Sequence, residues 1–255
     1  MATALSVNVN KVALLRNARS GEVPSVVGFA KAALDAGAHG ITIHPRPDQR
    51  HIRITDVDAL AELLASPVYA DREFNIEGNP LDLSHGDHLM PILRRVKPTQ
   101  ATLVPDASDQ NTSDHGFALT DPAVVAELRP IVNELQDQGC RVSLFIDPEP
   151  DVANGALDAG ADRVELYTES YAQAFAGPER DATVQRFADT ARRGIDVGLQ
   201  VNAGHDLDQA NLGLFLGHVP GVEEVSIGHA LVAESLLEGV YTTIHRYLEL
   251  VGHDV

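Results

Sequence analysis

Tryptophan is absent from this 255-residue chain, methionine occurs twice, and cysteine occurs once, at Cys140. One thiol excludes an intrachain disulfide, and its isolation fits a reducing compartment, so a cytoplasmic location is expected. No apolar run approaches the roughly 20 residues that a membrane-spanning helix needs. The opening Met-Ala-Thr-Ala-Leu-Ser-Val-Asn-Val-Asn-Lys lacks the basic start and apolar stretch of a secretory signal. Positive charge is scarce too. Lysine and arginine number 19 against 37 aspartates and glutamates, a net charge of −18. That balance argues against nucleic acid or an anionic membrane as partner. An anionic substrate would have to be captured by a local cluster of arginine and backbone N–H groups, against the field of the whole protein.

What is present is a large apolar complement, 44% of residues, enough for a substantial core. No low-complexity linker divides the chain, so residues 1–255 read as a single domain. Its organisation is periodic. Ala33-Leu-Asp-Ala-Gly-Ala-His-Gly-Ile-Thr-Ile-His44 and Ala156-Leu-Asp-Ala-Gly-Ala-Asp-Arg-Val-Glu-Leu-Tyr167 repeat one grammar, and Glu134-Leu-Gln-Asp-Gln-Gly139 before Arg141-Val-Ser-Leu-Phe-Ile146 repeats it again. In each, an amphipathic helix ends at a glycine suited to the left-handed position after a helix, and a strand follows at once. Strand-like runs fall at residues 5–9, 40–44, 73–77, 100–104, 141–146, 163–167, 199–202 and 224–227. Strands alternating with helices imply right-handed βαβ units and a parallel sheet. Eight such units in about 250 residues match an α/β fold of the (β/α)8 TIM barrel type, with extra helices. An open doubly wound sheet is the alternative, but the first turn, Asn8-Val-Asn-Lys11, lacks its glycine-rich signature. Residues 105–120 and 168–180 are candidate lids or added helices.

In such a barrel, chemistry sits where strands end. Those positions carry Asn8 and Asn10, His44 and Arg46, Glu77, Asp147, Glu165, Asn202 and His205, and His229. The densest stretch is 40–52, where an apolar strand empties into His44, Arg46, Arg50 and His51. A strand needs none of these for its own stability, so they point to anion binding and proton movement. His85, His88, His218, His245 and His253 fall elsewhere and read as solvated. Glu77 follows Phe-Asn-Ile, and burial there would raise its pKa and suit it to proton abstraction. Glu165 interrupts Val-Glu-Leu and must face the barrel interior, as a catalytic group or a structural ion pair. Gly204 is read as a flexible glycine suited to presenting the His205 imidazole, and Gly228 as a point of close backbone approach before a helix whose free N–H groups suit a phosphate. Three rivals remain beside this reading. A metal enzyme lacks any HExxH or HxH spacing, so no metal is expected. A Schiff-base aldolase would have to use Lys11, since Lys31 and Lys97 lie far from strand ends. A pure binding protein would explain an anion site but not the surrounding histidine and glutamate.

The motifs Ser6-Val-Asn-Val-Asn-Lys-Val-Ala-Leu-Leu-Arg-Asn-Ala-Arg19, 40–52, Phe74-Asn-Ile-Glu77, Leu103-Val-Pro105, Val142-Ser-Leu-Phe-Ile-Asp147, Val201-Asn-Ala-Gly-His205 and Ile227-Gly-His-Ala230 run in order along almost the whole chain. Together they resemble the pyridoxine 5′-phosphate synthase family, the ring-closing enzymes of one vitamin B6 pathway. The resemblance implies a (β/α)8 barrel with extra helices, assembled as a homo-octamer and using no cofactor. It implies a transferase that condenses 1-deoxy-D-xylulose 5-phosphate with 3-amino-2-oxopropyl phosphate, releasing pyridoxine 5′-phosphate, phosphate and water. By the same resemblance, His44 and Glu77 match proton acceptors, His205 a proton donor, and Glu165 a transition-state stabiliser. Asn8, Arg19, Gly228 and His229 match contacts to the aminoketone phosphate, and Arg46, His51 and Thr112 contacts to the deoxyxylulose phosphate, with Thr112 in a loop that closes over the site. Asn10 and Lys11 stand where many members carry Asp-His, and Asp206 where they carry glycine. Both positions are expected to remain substrate contacts in altered form, with the Asp206 carboxylate turned outward.

Overall fold

The glycines that punctuate the repeats do what their spacing predicts. Gly37, Gly139 and Gly160 adopt φ of +105°, +85° and +89°, ending three helices in a conformation that side chains with a Cβ resist. At the opposite ends, Ser25 caps one helix by accepting from the Gly28 N–H at 3.0 Å. Asp121 caps another through the Ala123 N–H at 2.8 Å, with Pro122 in the first turn. The computed structural model describes residues 2–83, 88–107 and 113–254.

Eight strands close into a parallel barrel in chain order: β1 (Ala4–Asn8), β2 (Gly40–Ile43), β3 (Glu73–Gly78), β4 (Gln100–Leu103), β5 (Arg141–Ile146), β6 (Arg163–Tyr167), β7 (Gln200–His205) and β8 (Val222–Ile227). Pairing of β8 back onto β1, with Val7 beside Ile227, completes the ring and excludes the open sheet. Around it run α1 (Asn10–Asn17), α2 (Val26–Asp35), α3 (Ile54–Ala65), α4 (Leu89–Val96), α5 (Pro122–Asp137), α6 (Val152–Ala159), α7 (Glu169–Ala174), α8 (Arg180–Asp196), α9 (Leu212–His218), α10 (His229–Glu238) and α11 (Val240–Leu250). The added helix expected in 168–180 is α7. Among the described residues, no helix is long and apolar enough to cross a membrane.

The strands alternate strictly. Leu5, Val7, Ile41, Ile43, Phe74, Ile76, Ala101, Leu103, Val142, Leu144, Val164, Leu166, Val201, Ala203, Val225 and Ile227 are buried in the shell between barrel and helices. The intervening positions are polar and join one another across the barrel. Ser6 Oγ lies 2.7 Å from Thr42 Oγ1, Asn75 donates to Thr42 at 3.3 Å, and Thr102 donates to Asn75 at 3.1 Å. Toward the strand beginnings, Arg163 donates to Gln100 at 3.1 Å and lies 3.5 Å from Glu224, while Arg141 pairs with Glu73 and donates to Gln100 at 2.9 Å. Most barrels fill this space with branched apolar side chains. Here the one apolar patch inside, among the described residues, is Val104, Phe145 and Tyr167 near the strand ends. The main hydrophobic core is therefore the outer layer, and the interior is left free to carry ionisable groups.

Two glycines set how closely layers approach. A Cβ on Gly155 of α6 would fall 1.9 Å from the Leu119 carbonyl oxygen, whereas one on Gly217 of α9 would meet nothing within 4 Å. Gly155→Ala is expected to destabilise the fold by about 1–3 kcal/mol or more through overpacking. Gly217→Ala should be neutral or slightly stabilising, because alanine is the better helix former. Denaturant midpoints of the two variants check this pair, and equal midpoints would reject it.

Candidate active site

The strand ends converge on a cavity of about 210 Å³ lined by Asn8, Asn10, Lys11, His44, Arg46, His51, Glu77, Ser113, His205, Asp206, Ser226, Gly228 and His229. All but Ser113 come from five separate strand ends, β1, β2, β3, β7 and β8, and from the turns that follow them. The alternation of β3 turns Glu77 inward, and the abrupt exit of β2 into Pro45 and Pro47 holds His44 and Arg46 at the mouth.

His44 and Glu77 form the centre. His44 Nδ1 lies 3.9 Å from Glu77 Oε2, and both side chains are buried. The asparagines of the first turn hold them. Asn8 donates to Glu77 Oε2 at 3.3 Å, the Asn10 N–H donates to Asn8 Oδ1 at 3.0 Å, and the His44 N–H donates to Asn10 Oδ1 at 2.9 Å. In this structure Asn8 and Asn10 thus bind His44 and Glu77 themselves. Burial pushes Glu77 well above the ordinary carboxyl range, and the nearby Glu165 and Asp106 carboxyls add to the rise. Burial holds His44 well below the usual imidazole value, helped by the positive field of Arg46. Both shifts run the same way, favouring an uncharged imidazole and an uncharged carboxyl group. A neutral imidazole can accept a proton and a protonated carboxyl group can give one, which suits the pair to proton transfer.

Glu165 lies deeper, 1% exposed, within 3.5 Å of Thr102 Oγ1. Burial raises its pKa, and the neighbouring Glu224 raises it further. Gly204 sits in β7 against it: a Cβ there would lie 2.7 Å from Glu165 Oε1 and 2.9 Å from the Ser226 carbonyl oxygen. Gly204 is required for close packing in an extended strand, and the backbone strain sits one residue on, at His205, with φ +70°. The His205 ring stacks at 4.9 Å on Phe145 and edge-on at 5.5 Å to Tyr167, which fixes its direction. Burial lowers it to about 4.

Groups able to bind an anion flank this centre on two sides. On one, His51 accepts the Ile52 N–H at Nδ1, 2.9 Å, which leaves Nε2 as the protonated nitrogen of a neutral ring. Burial and Arg46 bring His51 to about 4. Arg46 is buried beside it, its Nη2 2.5 Å from Asp106 Oδ2 and its Nη1 donating to the Ala107 carbonyl at 3.2 Å. On the other side, α10 begins at His229 with no side chain capping it, and a Cβ on Gly228 would press within 3.1 Å of Asn8. Lys11 is half-buried in the first turn of α1, and Asp206 is exposed at the rim. Burial and the neighbouring Glu169 raise the Asp206 carboxyl, while His229 and Lys11 oppose the rise.

Arg19 is not brought to the cavity: it is exposed beyond the end of α1. Thr112 and His85 lie outside the described residues. His218 and His245 are exposed as expected, but His88 and His253 are not simply solvated. His88 Nε2 is 3.0 Å from the Pro45 carbonyl, and His253 Nε2 is 3.0 Å from the Thr3 carbonyl, its ring 4.3 Å from that of His39. Arg50 pairs with Asp48 at 2.6 Å. Cys140 is buried away from the site, its thiol pushed up to about 12 by burial. Among the described residues no group of three or more histidine, cysteine or carboxylate side chains could hold a metal ion.

Three side chains that the strand-end reading passed over support the site. Arg16 is fully buried, makes a two-pronged pair with Asp56, and donates to the His51 carbonyl at 3.2 Å. Asn17 donates to the same carbonyl at 2.8 Å. Asp106 reaches both Arg46 and His44. A fully buried arginine inside the motif Leu15-Arg16-Asn17 is invisible to a rule that looks only at strand ends. The one available signal is a charged residue on the apolar face of a short helix.

A family model described as pyridoxal phosphate biosynthesis protein PdxJ matches residues 5–253. The chain is 52% identical over 256 residues to the pyridoxine 5′-phosphate synthase of Xylella fastidiosa strain 9a5c, covering 98% of this chain and 95% of that one. It is 51% identical to the enzyme of the same name from Xanthomonas axonopodis pv. citri, covering 99% of each. Among solved structures it resembles 3-keto-L-gulonate-6-phosphate decarboxylase from Vibrio cholerae (TM-score 0.62, 11% identity, 98% of both chains). It also resembles tryptophan synthase from M. tuberculosis (TM-score 0.64, 13% identity, 98% of this chain and 94% of that). At such identities the likeness is one of fold.

A dianion seated beside His51 and His205 should favour their imidazolium forms and raise both from about 4. Between the free and the bound values, binding must take up protons. Calorimetry with sulfate at pH 6, in buffers of different ionisation enthalpy, should show an apparent heat that depends on the buffer, and at pH 9 the dependence should vanish. A buffer-independent heat at pH 6 would refute it.

Proposed function

The chain belongs to the PdxJ family of pyridoxal phosphate biosynthesis proteins, and from that premise we propose that it is a pyridoxine 5′-phosphate synthase whose ring closure is driven by His44, Glu77 and His205. Its substrates are 3-amino-2-oxopropyl phosphate and 1-deoxy-D-xylulose 5-phosphate. The observation that carries the reading is a buried imidazole placed 3.9 Å from a buried carboxyl group, in a cavity that also holds two separate sets of groups able to bind an anion. Two phosphorylated substrates need two such sets, and their reacting carbons must meet between them.

The amine of the aminoketone attacks the deoxyxylulose ketone, giving an imine between the two substrates and releasing water, so no lysine of the protein is consumed. His44 and Glu77 pass protons during the dehydration and enol formation that follow. The sugar-derived phosphate then leaves and water adds at that carbon. Ring closure by an aldol-type step and a final dehydration make the pyridine. His205, opposite the pair, gives a proton to a departing oxygen, and Glu165 supplies a protonated carboxyl group to developing negative charge below. Arg46 and His51 hold the deoxyxylulose phosphate, with Thr112. The start of α10 at Gly228 and His229 takes the aminoketone phosphate with Asn8, beside Asp206 at the rim, while Arg19, expected there from the motif, stays outside the cavity. Asn10 and Lys11 complete the sugar side. The protein is read as cytoplasmic and as a homo-octamer. Exposed Leu236, Leu237 and Tyr241, where α10 meets α11, offer apolar surface for assembly.

Incubation with both phosphates should release inorganic phosphate and form a pyridoxine chromophore, and its failure with folded protein would sink the assignment. Glu77→Gln is expected to reduce turnover by roughly 10²–10⁴-fold, the usual worth of a general acid–base group, while substrate binding is retained. Near-wild-type turnover would remove Glu77 from the mechanism. Borohydride trapping of substrate on Lys11 would favour the aldolase alternative.

A further inference from the structure

Asp106 follows Pro105 directly after β4, is 5% exposed, and belongs to none of the groups that take protons or phosphate above. Its Oδ2 lies 2.5 Å from Arg46 Nη2 and 3.5 Å from His44 Nε2. The imidazole of His44 is thus set between two carboxyl groups, Asp106 at Nε2 and Glu77 at Nδ1, 3.9 Å away. The position of Asp106 is itself held, because its carbonyl accepts from Asn79 Nδ2 at 2.8 Å and Asn79 is fixed by the Leu81 N–H at 2.8 Å. Behind the cluster is a chamber of about 20 Å³, lined by His44, Arg46, Asn79, Asp82, His88 and Asp106. It has room for about one water.

We propose that Asp106 is a positioning residue that locks the phosphate-binding Arg46 and the base His44 into one unit, and that it makes Nδ1 of His44 the nitrogen that accepts protons. A neutral imidazole carries one N–H. Asp106, paired with a guanidinium, is the carboxyl group that presents an acceptor, so the N–H belongs on Nε2. The lone pair is then on Nδ1, which faces Glu77 and the cavity. When Nδ1 takes a proton, the imidazolium is stabilised by the Asp106 carboxylate at its far side, as the buried carboxylate of a catalytic triad stabilises its histidine. The shared Oδ2 has a second effect. A phosphate that draws on Arg46 shifts the guanidinium on which Asp106 rests, so occupancy of the sugar-phosphate side and the orientation of the base are mechanically linked. Burial raises Asp106 to about 6 against the opposing pull of Arg46, which still leaves it ionised at pH 8.

This assignment rests on the synthase reading for its kinetic test but has a readout that does not. Imidazole ¹⁵N spectra of the full chain at pH 8, with His44 identified by comparison with His44→Gln, should show a protonated Nε2 and an unprotonated Nδ1. In Asp106→Ala that preference should be lost, and kcat should fall roughly 10- to 100-fold, the cost of removing such an outer partner, by more than KM changes. Asp106→Asn keeps the shape if the alanine variant does not fold, and it should show the same fall in kcat. Asp106→Glu should recover part of it. Protonation at Nδ1 in the wild-type protein, or a variant in which only KM for the deoxyxylulose phosphate changes, would reduce Asp106 to an anchor for Arg46 and overturn the proposal. Absence of turnover in the wild-type protein would instead strike the synthase reading, leaving the spectra to decide the tautomer.

Discussion

Burying a carboxyl group in a space that water cannot screen is the constraint on which this molecule turns. Glu77, Glu165 and Glu224 all point into the barrel, and for each the largest influence on its pKa is loss of solvent. An ionised carboxylate there would cost several kcal/mol without a partner. The barrel meets that cost differently at its two ends. Near the strand beginnings Glu224 is given Arg163, and Glu73 is given Arg141, so charge is neutralised by charge. Near the strand ends burial instead shifts Glu77 and Glu165 toward their protonated forms, and a protonated carboxyl group is a proton source. One end is a structural ion-pair layer and the other is a reactive mouth, built from the same residue type on the same barrel.

That division explains why the interior is polar apart from one small patch. Ser6, Thr42, Asn75 and Thr102 form a hydrogen-bonded chain between the two ends. An apolar filling at that level would leave Glu165 with no neighbour able to satisfy it. The stability that other barrels take from their interior must come from the outer layer, where apolar side chains from all eight strands meet the helices. The apolar patch inside, Val104, Phe145 and Tyr167, has a separate task. It is the wall against which the strained His205 is held.

His44, Glu77 and His205 are legible in the amino-acid order because each follows an apolar run that reads as a strand, and such ends face the mouth. Glu165 is legible for a related reason: a charge between valine and leucine in a strand has only the interior to enter. Asp106, Arg16 and Asn17 are not legible. Asp106 matters because Pro105 turns the chain at a point where Arg46, about sixty residues earlier, arrives from β2. No local pattern encodes that meeting. Arg16 and Asn17 act through the His51 carbonyl, a backbone atom whose position depends on how α1 lies against the loop after β2. Arg19 shows the converse, a residue singled out in the motif that the fold leaves exposed beyond α1.

The amino-acid order by itself determined the eight βα repeats, the closed parallel architecture and the side of the barrel on which chemistry would collect. Those follow from local rules: the period of apolar residues, the left-handed freedom of glycine, and the parity of a strand. Only the tertiary structure decided the protonation states, the partner at each nitrogen of His44, the packing role of Gly204 and the strain at His205. These depend on distances of a few ångströms between residues far apart in the chain, and on how completely each is removed from water. Electrostatic energy in a low-dielectric space varies steeply with both, and neither quantity exists until the barrel has closed.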